Sequence, residues 1–555
     1  MKIIGTIDLD NFPKHDYSAG KKWLRNQLKG LRKNCFENDE RIVVIQQWDY
    51  YVKGHEATGL LLKNLQVMLN EEDITNCFVQ LRTTNPNIEQ ELNEVQQTNT
   101  DSNRIEVKLI AGHYGCEMLD SFPYSREEEY QYGSANPIKV NLKSLSPKKQ
   151  FLLSESKTFC MYPWVHLHAW PNGQAYPCCH AEAHPQYGST RTQSLSAVWN
   201  SQLMKKLRQD MLNEVANESC TRCYEQEKSG FFSGRQSSNK HHGHHIDRID
   251  ITQADGHLDK FEMTYWDIRF SNLCNLRCRS CGHIFSSQWY QDQAKLAGPE
   301  WKARNSVLNY AGRTETDIWE QLEPHLDYVE QIYFAGGEPL LMEEHYNILE
   351  ELVKRGRFDV RLIYNTNFTH TDLKGRSVFD YWKKFRSVAV GASLDAMGPR
   401  AELIRKGTDW AQVEQNRRDM LKICPEVDFY ISPTLSILNA LHLPEFHRAW
   451  VEQGLIRPQD LNVNILQDPV HYRIDIAPSD YKAHLSSVYW SHLEWLKTVG
   501  DPLGRATQGL ESAVKFMMAT DNTHLIDTFW RKTHELDNLR QERVLSVIPE
   551  LQALL

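Results

Sequence analysis

Cys274-Asn275-Leu276-Arg277-Cys278-Arg279-Ser280-Cys281 sets three thiols at a C-x3-C-x2-C spacing, directly after a strand-like run from Tyr265 to Ser271. Three cysteines this close can ligate three corners of one cube-shaped [4Fe–4S] cluster and leave the fourth iron open to a ligand that is not protein. A structural zinc takes four protein ligands, and ferredoxin-type runs supply a fourth cysteine. A three-cysteine cluster is suited to binding and reducing a small molecule.

Downstream of this stretch the pattern is regular. Apolar strand candidates recur at Trp266–Ser271, Val329–Ala335, Val360–Asn365, Val388–Leu394, Phe429–Leu435 and Leu461–Leu466. Helix-like segments separate them, among them Glu343–Arg355, Trp410–Ile423 and Leu443–Gln453. Strands alternating with helices predict a parallel β/α architecture, closed or partly closed, whose chemistry sits at the C-terminal ends of the strands. Polar groups recur there: the cysteine run after strand one, Gly336-Gly337-Glu338-Pro339 after strand two, Asn365-Thr366-Asn367 at strand three and Ser393-Leu394-Asp395 at strand four.

Upstream lies a second cysteine-rich region. Cys160 is followed by Gly173, Cys178 and Cys179, then, after a helix-like stretch from Leu195 to Leu212, by Cys220 and Cys223. A C-x2-C pair turns two sulfurs toward one metal, and Cys160 with Cys178 supplies two more, giving a four-thiolate site for a second [4Fe–4S] cluster or a structural zinc. Adjacent residues seldom reach the same metal, so Cys178 is preferred to Cys179. His166, His168 and His180 read as surface or packing residues. Phe231 to Asp259, with His241, His242, His244 and His245, has the composition of a flexible linker.

Residues 1–140 read as a small α/β recognition-type domain, with short strands near 41–47, 77–81 and 105–110 and no glycine-rich phosphate fingerprint. Residues 479–555 read as helices, with Trp490, Trp495 and Trp530 in packing roles. The chain has 555 residues, 12 cysteines, 41% hydrophobic residues and a net charge of −9. That composition is globular; it gives no basic footprint for nucleic acid and no membrane-length apolar run. The N-terminus lacks a signal-peptide pattern, and a cytoplasmic location is expected. In that setting clustered cysteines read as metal ligands sooner than as disulfides, and Cys35, Cys77, Cys116 and Cys424 as buried small hydrophobes.

Cys274, Cys278 and Cys281, with Gly336-Gly337-Glu338 one strand later on a six-fold β/α pattern, resemble the radical S-adenosylmethionine (AdoMet) family over residues 262–478. The upstream block, 155–240, resembles a twitch/SPASM-type auxiliary domain, with Cys160, Gly173 separated by four residues from Cys178, and Cys220 with Cys223. Here that block precedes the core instead of following it, and Ser280 stands where the family often has an apolar or aromatic residue.

The resemblance implies a partial (β/α)6 TIM-like barrel core. It also implies a cluster held by Cys274, Cys278 and Cys281, with AdoMet on its open iron, and an auxiliary [4Fe–4S] cluster on Cys160, Cys178, Cys220 and Cys223. AdoMet contacts are expected from Gly336, Gly337, Glu338, Asn365, Ser393, Asp395 and Arg405. The implied activity is reductive cleavage of AdoMet to a 5′-deoxyadenosyl radical, which abstracts hydrogen from a peptide, protein or small-molecule substrate. An external reductant such as a flavodoxin or ferredoxin supplies the electron. A sugar or nucleotide substrate is the alternative within the class. A non-catalytic electron carrier or redox-sensing module is the alternative outside it.

Overall fold

The computed structural model describes residues 140–555 apart from 182–185, 229–231 and 315, together with strands Val43–Ile45, Phe78–Thr83 and Glu106–Ala111. These three strands pair in parallel, in that order, as a sheet of their own. The expectations for Cys35, Cys77 and Cys116 lie outside the described residues. Cys424 is buried, as its apolar neighbourhood predicts.

The rest of the chain is built on an eight-stranded sheet. Five core strands, Tyr265–Ile268, Gln331–Phe334, Arg361–Thr366, Val388–Ala392 and Asp428–Ile431, run in parallel and in chain order. A parallel bridge from Ile431 to Leu461 and the short pair Thr434–Leu435 with Asn464–Ile465 continue the order to a sixth position. Parallel strands need a covering layer on each face, hence the helices between them. Every second residue faces that layer. Phe334 packs on His345 of helix Glu343–Lys354, Tyr364 on Trp382, and Phe429 under the guanidinium of Arg417.

The opposite stripe is polar, unlike the branched aliphatic layers that fill a closed barrel. Asn365 donates to the Tyr333 hydroxyl at 2.6 Å. A Cβ on Gly391 would come within 2.9 Å of Asn365 Oδ1 and 3.0 Å of the Tyr430 ring. Asn365, Gly391 and Tyr430 are in register across three strands. Arg505, at the start of helix Arg505–Ala519, lies 4.8 Å over the Tyr430 ring.

The auxiliary segment joins this sheet. Strand His166–Ala169 pairs in parallel with the first core strand and in antiparallel with Gln174–Tyr176. The hairpin turns at Gly173, whose φ of +83° is the left-handed conformation that glycine adopts without strain. Residues 140–224 and 234–555 therefore form one compact unit.

Two readings by composition need correcting. Residues 234–249 are helical, with Arg235, Asn239 and His242 buried, and Arg235 and Asn239 hold the segment next to Cys160. Trp490 is 49% exposed and is not a packing residue, whereas Trp530 is buried. The stretch from Leu195 to Leu212 breaks into two helices, Leu195–Trp199 and Gln202–Leu212, each capped at its N-terminus by a serine. The C-terminal region adds helices Ser479–Val499 and Ile526–Arg540. Among the described residues no helix is long and apolar enough to cross a membrane.

Candidate iron–sulfur and AdoMet site

The cysteine loop leaves the C-terminal end of the first core strand, and its three thiols pack around Leu276. Cys274 and Cys278 are buried and Cys281 half-buried. The loop's backbone is held from several sides. Trp289 Nε1 donates to the Cys278 carbonyl at 2.9 Å, Ser287 Oγ to that of Cys274 at 3.2 Å, and the Cys281 amide to the Cys278 carbonyl at 3.1 Å. Strand Arg405–Lys406 pairs with Arg277–Cys278 and sets Arg405 Nη1 3.7 Å from the Cys278 sulfur.

Burial and the neighbouring Cys278 push the Cys281 thiol up to about 12, and burial pushes Cys274 and Cys278 up as well. Three thiolates this close need more positive charge than one guanidinium supplies, which suits a cationic metal cluster. Among the described residues no three of the thiols have sulfurs within 4.8 Å of one another. Around one zinc ion, with Zn–S of about 2.3 Å, tetrahedral sulfurs lie about 3.8 Å apart.

The Gly336-Gly337-Glu338 loop lies against the approach to the cysteines. The Gly337 amide donates to the Ser271 carbonyl at 3.2 Å, and the Glu338 amide to that of Leu273 at 2.7 Å. A Cβ on Gly337 would stand 2.1 Å from the Leu273 carbonyl oxygen, and Gly336 has a φ of +122°. These glycines are therefore required to seat one loop on the other. Gly337→Ala must push backbone on backbone, a cost of about 1–3 kcal/mol or more. It should lower the urea midpoint and halve the iron retained after anaerobic reconstitution; an unchanged iron count rejects this role.

Glu338 is buried and caps the turn Pro339–Leu341. Its carboxylate accepts from Leu340 N, Thr366 Oγ1 and Asn367 N at 3.0, 2.7 and 2.7 Å. Burial pushes it up to about 7 against these donors. Three of roughly four acceptor positions are taken, leaving one for an ammonium donor. Asp395 is engaged elsewhere: it grips Arg405 through both oxygens, at 2.8 and 2.9 Å, and accepts from Thr434 N. Its visible work is to hold Arg405 against Cys278. Ser393 is half-buried and its amide donates to the Thr366 carbonyl. Asn365 points at Tyr333 on the inner stripe; it is Asn367 that reaches the cysteine loop, 2.8 Å from Asn275 Oδ1 and 3.9 Å from the Cys274 sulfur.

Arg405→Gln removes the cation nearest a ligand sulfur. Because a nearby positive charge favours the more negative, reduced state, the midpoint potential of that cluster should fall in an EPR redox titration. An unchanged or higher potential contradicts the placement.

The second thiol set forms where the hairpin delivers Cys178 beside Cys160, Cys220 and Cys223. Burial is the main cause that raises Cys160 and Cys220 to about 12 and Cys178 well above its ordinary value, and the other thiols add to it. Arg235 and Asn239 donate to the Phe159 carbonyl and so fix Cys160, while Asn217 caps the turn carrying Cys220. Cys178 is close enough to feel the charges of Cys179, Cys160, Cys220 and Cys223.

An iron–sulfur cluster-binding domain model, SPASM, matches residues 160–224, and a Radical SAM superfamily model matches residues 268–433. The chain carries a radical SAM domain preceded by an SPASM-type iron–sulfur domain. Its radical SAM domain implies a [4Fe–4S] cluster with AdoMet, and its SPASM domain implies additional iron–sulfur ligation. Among solved structures it is similar to Streptococcus suis SuiB bound to S-adenosylmethionine, at 13% identity over 54% of this chain and 63% of that one, TM-score 0.28. It is also similar to TYW1 with a lysine-pyruvate adduct bound, at 16% identity over 40% and 70%, TM-score 0.21. No curated protein matches.

The sequence did not single out the clamp on the cysteine loop. Arg279, fully buried, pairs with Asp537 and, at 2.6 Å, with Glu542. Asp292 joins Arg277 at 2.9 Å to Arg540 at 2.8 Å. These partners lie some 250 residues apart in sequence. Nor did it identify the buried pair His168 Nδ1–Asp267 Oδ2, 2.7 Å apart, between the auxiliary strand and the first core strand. Burial alone would raise Asp267, but His168 and Arg269 hold it at about 2. Of the surface or packing roles expected for His166 and His168, the structure shows packing: both are buried. The alternation along Tyr265-Trp266-Asp267-Ile268-Arg269, polar at every second place, was the available signal.

Proposed function

We propose that this protein reductively cleaves AdoMet and abstracts a hydrogen atom from a peptide or protein substrate. The carrying observation is the convergence of Cys274, Cys278 and Cys281 with the Gly336–Glu338 loop above a polar inner stripe. When bound, the cluster supplies the electron that breaks the C5′–S bond of AdoMet and releases a 5′-deoxyadenosyl radical. Cys274, Cys278 and Cys281 would hold that cluster. The free acceptor position of Glu338 would take the AdoMet ammonium, and Arg405, held by Asp395, would bring a positive charge to the ligand sulfurs. Cys160, Cys178, Cys220 and Cys223 would hold the auxiliary cluster.

The inner stripe supports a polar, hydrogen-bonding substrate. Asn365 and Tyr430, toward the C-terminal ends of their strands, line it with amide and phenol groups. Residues 1–140 would dock the substrate. The test is anaerobic incubation of reconstituted, dithionite-reduced protein with AdoMet. 5′-Deoxyadenosine is the expected product; its absence from protein carrying both clusters and binding AdoMet rejects the enzyme reading in favour of an electron carrier.

A further inference from the structure

The run His241-His242-Gly243-His244-His245 is divided by the fold. His242 is buried and stacked on Tyr265, with ring centroids 5.4 Å apart, and His241 Nδ1 lies 2.8 Å from the Ser237 carbonyl. His244 and His245 turn together onto Glu330. His244 Nε2 is 2.8 Å from Oε2 and His245 Nε2 is 2.9 Å from Oε1, and the three ligating atoms lie within 4.8 Å of one another. This is closer than any three of the thiols approach, and it is the spacing of donors around a single ion.

The carboxylate is firmly placed. Glu330 immediately precedes the second core strand; its amide donates to the Thr264 carbonyl at 2.8 Å, and its own carbonyl accepts from Arg361 N at 2.9 Å. It stands at the N-terminal end of the strand whose C-terminal end leads to Gly336-Gly337-Glu338, about 20 Å away at about 3.3 Å per residue. It is therefore separate from the Cys274–Cys281 thiols.

Read as a plain hydrogen-bonded clip, the cluster has each imidazole donating Nε2–H to one carboxylate oxygen. That reading leaves His244 Nδ1 buried with no partner. The tautomer of a histidine is set by the bond its other nitrogen makes, and with a metal on Nε2 the His244 proton would sit on Nδ1. The set thus offers two imidazole nitrogens and one carboxylate oxygen to an ion. Two imidazoles and a carboxylate suit zinc and its neighbours, with remaining positions for water. Partial exposure of the three side chains, 15%, 17% and 30%, gives an ion a route in.

We propose that His244, His245 and Glu330 bind one divalent transition-metal ion of the zinc class, at the opposite end of the core strand from the radical chemistry. The inference does not depend on AdoMet cleavage. It is tested by equilibrium dialysis of cluster-loaded, full-length protein against Zn²⁺, with iron counted first so that the thiols are occupied. About one zinc per chain is expected, with zinc-edge X-ray absorption showing ligands only at about 2.0–2.1 Å. His244→Gln and Glu330→Gln should each weaken binding about 10–100-fold or more at unchanged iron content. A sulfur shell at about 2.3 Å, zinc uptake indifferent to both substitutions, or no retained zinc overturns the proposal. If a variant loses helicity, the wild-type stoichiometry and absorption spectrum decide alone.

Discussion

Cys278→Ala should reduce the iron of reconstituted protein from about eight to about four per chain and abolish 5′-deoxyadenosine formation. Cys278 is tied to its surroundings through both its sulfur and its backbone. It lies 3.7 Å from Arg405 Nη1, its carbonyl accepts from Trp289, and its strand pairs with Arg405–Lys406. With the sulfur gone, only two protein ligands remain in the loop, and the Arg405–Asp395 pair faces an empty corner. The four thiols at Cys160, Cys178, Cys220 and Cys223 are independent of this loop, so their iron should stay. Iron analysis and Mössbauer spectroscopy separate the two sets. Retention of all the iron, or loss of both clusters together, contradicts the assignment of two independent sites.

Asp537→Asn is the second large effect, and it falls far from the cysteines in sequence. Arg279, inside the cysteine loop and fully buried, has its charge met by Asp537 and Glu542. Asp537 also accepts from Val544 N at 2.7 Å, so it ties the loop to the C-terminal turn as well. Removing one partner of a buried ion pair costs about 3–5 kcal/mol, because the remaining charge is left without compensation. The expected result is an unfolding free energy, read from urea denaturation, lowered by an amount in that range, with preferential loss of the core cluster's iron. Full stability with full iron would show that Glu542 alone neutralises Arg279.

Local patterns carried far in this chain. The five core strands and helices Glu343–Lys354, Trp410–Ile423 and Leu443–Glu452 fall within a few residues of where periodicity puts them. Alternating strand and helix with short connections leaves few other architectures. The hairpin at Gly173 could be expected from a glycine between two short runs. The helical 234–249 segment could not, since its apolar content is low. What orders it is tertiary: Arg235 and Asn239 satisfy buried carbonyls beside Cys160. Composition reports whether a segment can bury its own surface; it is silent on whether another segment needs its donors.

By itself the sequence determined the chemistry of the ligands. Cysteine spacing and the glycines next to Glu338 are local properties, set by how far a few residues reach along the backbone. Tertiary structure alone decided which charges surround them. Asp395 holds Arg405 instead of facing a ligand, Asn367 and not Asn365 approaches the cysteines, and the C-terminal helix closes on Arg279. Each of these depends on groups from distant parts of the chain meeting in a low-dielectric interior. There pairing is strong and an unpaired charge is costly, and no local pattern records which partners will meet.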